Sequence, residues 1–231
     1  AGLNLAPDVT TDIEGTPRPQ GTAYDIGAYE YSGISSSDLV GHWKLDETSG
    51  TTAADSSGNS NTGTLTGFGA TPWVAGIVDG GLAFDGIDDR VNAGSGATLD
   101  NLASITVAAW IKANTLGEGG KGRIVDKATS TTPDNGWIFY VTGTNQLNFS
   151  VDYTTTNMGR STATNAIATG TWQHVAMTWT GSATATNIKF YVNGVETAYG
   201  STTNGAGTRV DDGTASVSLG NDSTGARTFD G

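Results

Sequence analysis

The sequence predicts an all-β fold, an antiparallel two-sheet sandwich or jelly roll, over most of its 231 residues. Three observations predict it. Apolar and polar residues alternate in many short runs, as in strands buried on one face. The 34 glycines supply the tight turns that short strands need. Nowhere do apolar residues recur at i, i+3, i+4 and i+7 over three turns, so no helix beyond about two turns is expected.

The runs follow one another from Leu39 onward. LVGHWKL leads into a polar loop, ETSGTTAADSSGNSNTG. GGLAFDG and DRVNAG flank a turn at Gly86–Asp89. SITVAAWIKA is apolar on both faces, which predicts a central strand. GRIVDKA precedes a second polar loop. NGWIFYVTG and NQLNFSVDY form a hairpin through Thr142–Asn145, with Leu147, Phe149, Val151 and Tyr153 on one face. TWQHVAMTWTG and NIKFYVNGVETA come next. In the latter, Asn193-Gly194 is the strongest hairpin signal in the chain, because a type I′ turn needs φ > 0 at both positions. ASVSLGND is the last clear strand. The expected core includes Trp110, Trp179, Phe84, Phe190, Val192 and Leu219.

The front of the chain differs. SGISSSD (Ser32–Asp38) reads as a linker, which divides the chain into an extended tail at 1–37 and a sandwich at 38–231. Pro7, Pro17 and Pro19 lie in the tail, outside any periodic pattern. Within GTAYDIGAYEYSG, Tyr24, Ile26, Ala28 and Glu30 alternate with Asp25, Gly27, Tyr29 and Tyr31, as in one short strand. A lone strand cannot bury itself. The opening AGLNLAPDV reads as the interior of a longer protein.

The formal net charge is −12, from 23 acidic and 11 basic side chains. Such a surface repels phosphate backbones and excludes nucleic acid as a partner. It attracts cations, Ca²⁺ included. The absence of Cys removes disulfides, thiolate metal sites and Cys nucleophiles. No apolar run approaches the ~20 residues of a membrane span. This acidic, Cys-free, Thr/Asn-rich composition fits a secreted or cell-surface protein.

Taken in order, HWKLDETSGTTAADSSGNSNTGTL, GLAFDGIDDRVNAG, SITVAAWIKA, TWQHVAMTWTG with IKFYVNGVE, and VSLGNDSTGARTFDG resemble the laminin G-like (concanavalin A-like) jelly-roll domains of bacterial surface proteins, relatives of the pentraxins. The resemblance covers Leu39 to Gly231. Family members continue past the F-x-G position with a last strand beside HWKL. Here the resemblance implies an open edge, to be filled by the N-terminal segment or by a partner chain. DIEGTPRPQGTAYDIGAYEY (Asp12–Tyr31) resembles the closing segment of right-handed parallel β-helix domains.

An enzyme on this fold would be a glycanase or a polysaccharide lyase. Glycanases place two carboxylates at alternating positions of one strand face. No such spacing occurs: Asp46 and Glu47 are adjacent, and Asp85, Asp88 and Asp89 surround a turn. His42 and His174 lie on separate predicted strands, and His174 is expected to be structural. No nucleophile elbow, phosphate loop or HExxH is present.

Asp55, Asn59 and Asn61 lie in a Gly-containing loop dense in oxygen donors, which suits a hard cation. The resemblance implies Ca²⁺ at Asp55. The alternative is an Asx-turn loop without metal. Asp134 and Asn135 with Asn221 and Asp222 resemble, in position, the Ca²⁺ loops of pentraxins. Most of the tryptophans sit on predicted strands and belong to the core. Trp73, Tyr153 and Tyr199 fall where a sugar could stack. The function these residues predict is non-catalytic binding or adhesion, with a glycan or a surface protein as partner and Ca²⁺ as cofactor. The alternatives are a ligand-free spacer and a glycan-active enzyme.

Overall fold

Fifteen strands account for the regular structure of a computed structural model that describes residues 39–231. The Tyr24–Tyr31 strand, the β-helix resemblance and the 1–37 tail lie outside the described residues. In chain order the strands are β1 (Thr52–Ala53), β2 (Gly63–Thr66), β3 (Trp73–Ala75), β4 (Gly80–Leu82), β5 (Arg90–Gly94), β6 (Ile105–Ile111), β7 (Arg123–Lys127) and β8 (Trp137–Val141). They continue as β9 (Leu147–Val151), β10 (Met158–Thr162), β11 (Gln173–Trp179), β12 (Lys189–Val192), β13 (Val195–Glu196), β14 (Tyr199–Thr203) and β15 (Val217–Leu219). Helix among the described residues is limited to three short 3₁₀ turns.

Two antiparallel sheets make the sandwich. The larger has nine strands in the order β1-β2-β5-β15-β7-β8-β9-β10-β14, and the smaller has four in the order β13-β12-β11-β6. A separate ribbon pairs β3 with β4. Register aligns one row across the large sheet: Leu65, Val91, Leu219, Val125, Phe139, Phe149 and Arg160. All of this row is buried except Val125, which is half-buried. From β11 of the small sheet, Gln173, Val175, Met177 and Trp179 answer it, all buried. Phe139 stacks on Phe190 at 6.3 Å, and Phe149 meets Trp179 at 5.9 Å, so both sheets share one core. The β12–β13 turn holds Asn193 at φ 51° and Gly194 at φ 80°, the doubly positive geometry that the Asn-Gly pair predicts.

Several expectations are corrected. LVGHWKL forms no strand. It makes a single bridge, Trp43 to Asp55, and Leu45 at φ 58° breaks the extended run. SITVAAWIKA is not central: among the described residues β6 pairs with β11 alone. Its inward row, Ile105, Val107 and Ala109, is half-buried, and only Ile111 is fully covered. Trp110 alternates with Ile111 and therefore points outward, 46% exposed. Val192, at the end of β12, is half-buried. Trp179, Phe84, Phe190 and Leu219 are buried as expected.

Trp179 carries the core load that Trp110 does not. It is 2% exposed, and its Nε1 donates to the Ser182 carbonyl at 2.9 Å. In denaturant titration, Trp179→Ala is expected to cost about 3–5 kcal/mol and Trp110→Ala less than about 1 kcal/mol. Equal losses would contradict the assigned faces.

Candidate functional site

The Asp55 loop is closed by its own carboxylate. Oδ1 accepts from the His42 and Ser57 amides, both at 2.9 Å, and Oδ2 accepts from Ser57 Oγ at 2.8 Å and the Asn61 amide at 2.9 Å. Partial burial pushes this carboxyl up, but the donors from Ser57, His42 and Asn61 together outweigh it and hold it below its ordinary value. Asn61 is buried; its carbonyl accepts from Trp43 Nε1 at 2.8 Å and its amide donates to Thr98 Oγ1 at 3.0 Å. Asn59 is exposed and donates to Ser57 Oγ. The structure thus brings Asp55, Asn59 and Asn61 into one loop, but the Asp55 oxygens already face N–H and O–H donors. A cation at this loop would share the Asp55 oxygens with those donors. The geometry is that of an Asx-turn network.

The second candidate set comes from two loops, one before β8 and one after β15. Asp134 Oδ2 accepts from Ser130 Oγ at 2.6 Å, and the Asn135 amide donates to Asp152 Oδ2 at 2.8 Å. Asn221 and Asp222 are both buried. Asp222 Oδ1 accepts from the Thr224 amide and hydroxyl and from the Ala226 amide, while its Oδ2 is buried without a partner. No hydrogen bond joins the two pairs. Arg123 lies on β7, which pairs with β15, the strand that precedes Asn221 and Asp222. Its Nε donates to Asp126 Oδ2 at 2.9 Å, and its Nη2 donates to the Thr131 carbonyl at 2.6 Å.

The three aromatic candidates do not form a platform. Tyr153 is 6% exposed, and a Cβ at Gly205 would fall 2.8 Å from its ring. It continues the inward face of β9, which corrects its assignment as a ligand contact. Tyr199 is half-buried; the Arg160 guanidinium lies 3.4 Å from its ring centroid and its hydroxyl donates to Glu196 at 2.6 Å. Burial, with that hydrogen bond, pushes its phenol up to about 12. Trp73 is half-buried and donates from Nε1 to the Gly50 carbonyl at 3.0 Å.

Two other surfaces were not legible as sites. On the outer face of the small sheet, Trp110 stands beside His174, with ring centroids 5.4 Å apart at 70°. The neighbouring row on that face is Ala108, Ala176 and Tyr191. The alanines leave the Trp110 ring unobstructed on that side. On the outer face of the large sheet, Asn148, Ser150, Asn157, Gly159, Ser201 and Thr203 line a shallow groove. Its lining holds hydrogen-bonding groups and no carboxylate.

A family model described as the "Concanavalin A-like lectin/glucanases superfamily" matches residues 85–231, more than half of the chain. The chain belongs to this superfamily. Its sandwich resembles domains LG4-5 of the mouse laminin alpha1 chain (12% identity, 55% of this chain and 32% of that one, TM-score 0.36). It also resembles a SAP-like pentraxin from Limulus polyphemus (22% identity, 52% and 53% covered, TM-score 0.36). A third similar structure is the CBM40 of the Ruminococcus gnavus IT-sialidase bound to alpha2,3 sialyllactose (15% identity, 54% and 68% covered, TM-score 0.39). The chain thus spans 32% of the laminin structure and 53% of the pentraxin. None of the three carries a ligand over to it. No curated protein matches.

Within this lectin/glucanase-like fold, Asp126 is the carboxylate most perturbed by its surroundings. Burial pushes it up to about 7, against the pull of Arg123 and of the Ala128 amide. A folded-state value above the unfolded ~3.9 means that the folded protein holds a proton the unfolded chain has released. The stability tied to Asp126 is complete below about pH 4 and is lost as pH rises through about 7. The melting temperature is expected to fall between about pH 5 and about pH 8, with a shallower slope in Asp126→Asn. A slope that this substitution leaves unchanged would assign the titration to another group.

Proposed function

We propose that the chain is a non-catalytic glycan-binding module of a secreted or cell-surface bacterial protein, in which the β-helix-like segment at 12–31 leads into the sandwich. The observation that carries this reading is Trp110, a tryptophan 46% exposed on a flat sheet face. Indole faces stack on the C–H faces of sugar rings, and nearby polar groups then orient the hydroxyls. His174 meets the indole ring edge to face, and Tyr191 follows one row away with a polar tip. The superfamily, the acidic Cys-free composition and the resemblance to bacterial surface domains support the same reading. Against a glycanase stands the lack of a paired carboxylate in the groove of the large sheet.

A glycan array followed by tryptophan-fluorescence titration tests this reading. Trp110→Ala is expected to weaken binding about tenfold or more, as loss of a central aromatic contact does, and to leave the melting temperature nearly unchanged. Asn148→Ala, in the groove, is expected to retain binding. Loss in Asn148→Ala with retention in Trp110→Ala would move the site to the groove. No retained glycan at all would defeat the reading and leave a protein partner or a spacer.

A further inference from the structure

The turn between β4 and β5 gathers carboxylates that no partner neutralises. Asp85, Asp88 and Asp89 each place an oxygen within 4.8 Å of the others. Asp85 and Asp88 are exposed, while Asp89 is 2% exposed. Two oxygens hold the turn itself: Asp85 Oδ1 accepts from the Ile87 amide at 2.9 Å, and Asp89 Oδ2 accepts from the Asp85 amide at 2.8 Å. Asp89 Oδ1 is buried and accepts nothing. A buried acceptor without a donor is costly and rare in folded proteins.

A fourth carboxylate flanks the turn. Asp230 bridges Asp85 through the backbone, and a Cβ at Gly86 would fall 3.0 Å from the Asp230 Cβ and 3.7 Å from its Oδ2. Among the described residues, none of these four acids takes part in an ion pair. Arg90, next along the chain, donates instead to the Ser223 carbonyl at 2.5 Å. The turn is also braced from outside. Asn221 Nδ2 donates to the Asp89 carbonyl at 3.2 Å. Gly67, at φ +90°, packs so closely that a Cβ there would lie 2.5 Å from the Asp88 carbonyl. The carboxylates are therefore held together by the scaffold, and burial with the like charges of Asp85 and Asp88 pushes Asp89 up.

We propose that Asp85, Asp88 and Asp89, flanked by Asp230, form a site for a hard divalent cation, with Ca²⁺ preferred. An all-oxygen, multiply charged set with irregular geometry suits the six to eight flexible ligands of Ca²⁺ better than the near-ideal octahedron that the smaller Mg²⁺ demands. The ion gives Asp89 Oδ1 a partner and removes the repulsion within the turn. This site is separate from the Asp55 loop and from Asp134, and it does not rest on the glycan reading.

Isothermal titration of Ca²⁺ into chelator-treated protein, with melting curves in Ca²⁺ and in EGTA, tests the site. One Ca²⁺ per chain is expected, with a melting temperature that rises in Ca²⁺ and returns in EGTA. Asp88→Asn is expected to weaken Ca²⁺ about tenfold or more, since affinity follows ligand charge. Asp55→Asn and Asp134→Asn are expected to bind within about twofold of the unsubstituted protein, because neither supplies a ligand to this turn. Asp88 is exposed, so its variant reports even if Asp89→Asn fails to fold. No binding at on the order of 10 mM Ca²⁺, above the ~10⁻⁴–10⁻³ M range of extracellular modules, overturns the proposal. So does Ca²⁺ affinity that Asp88→Asn leaves intact or that Asp55→Asn abolishes. Tighter binding of Mg²⁺ than of Ca²⁺ overturns the stated preference.

Discussion

Two aromatic contacts across the sandwich set the terms for everything else. Phe139 lies on Phe190 at an interplanar angle of 19°, and Phe149 leans on Trp179 at 50°. Side chains of this size fill the ~10 Å between packed sheets and lock both sheets face to face. Because side chains alternate along a strand, fixing Phe139 and Phe149 inward sends Asn148 and Ser150 outward. The same parity governs the small sheet. Once Val175, Met177 and Trp179 point in, His174 and Ala176 point out, and their partners on β6, Trp110 and Ala108, go with them. The exposed indole is thus a consequence of the core and not a defect in it.

Buried charge does a different task. Arg123 and Lys127, both fully buried, stand at the two ends of β7. Lys127 Nζ donates to Asp100 Oδ1 at 2.8 Å and to the Ala215 carbonyl at 2.7 Å, and lies 3.7 Å from Asp212 Oδ1. Asp212 also takes the Arg209 guanidinium at 2.6 Å and the Asn101 amide at 2.7 Å. Desolvation offsets much of the attraction in such pairs, so their main effect is positional. They tie the loops around residues 100, 131 and 212 to a single strand.

The sequence was informative where one face is buried and one is wet. The alternation in Leu147–Val151 and the Asn193-Gly194 turn led directly to β9 and to the β12–β13 hairpin. It was misleading where both faces are apolar. SITVAAWIKA has the content of a central strand, and content cannot distinguish a centre from an edge. Tyr153 was assigned by its place at a strand end, although its parity with Val151 already pointed inward. For Asp55 the sequence displays oxygen donors but not the amides that meet them. The Asp85–Asp89 acids read only as a turn, because Asp230 and Gly67 reach them from distant parts of the chain.

The three residues of β15 have a kinetic meaning. Ser218 pairs with Asn92 on one side and Asp126 on the other, and Leu219 pairs with Val91 and Val125. Among the described residues, β15 is the one strand that links β1-β2-β5 to β7-β8-β9-β10-β14 in the large sheet. Each half can zip through nearer neighbours, but their union waits for a strand that follows the other fourteen described strands. Such non-local closure places folding on the order of milliseconds to seconds. On the ribosome, β5 and β7 would emerge as two sticky margins, open to pairing with other chains until β15 arrives between them.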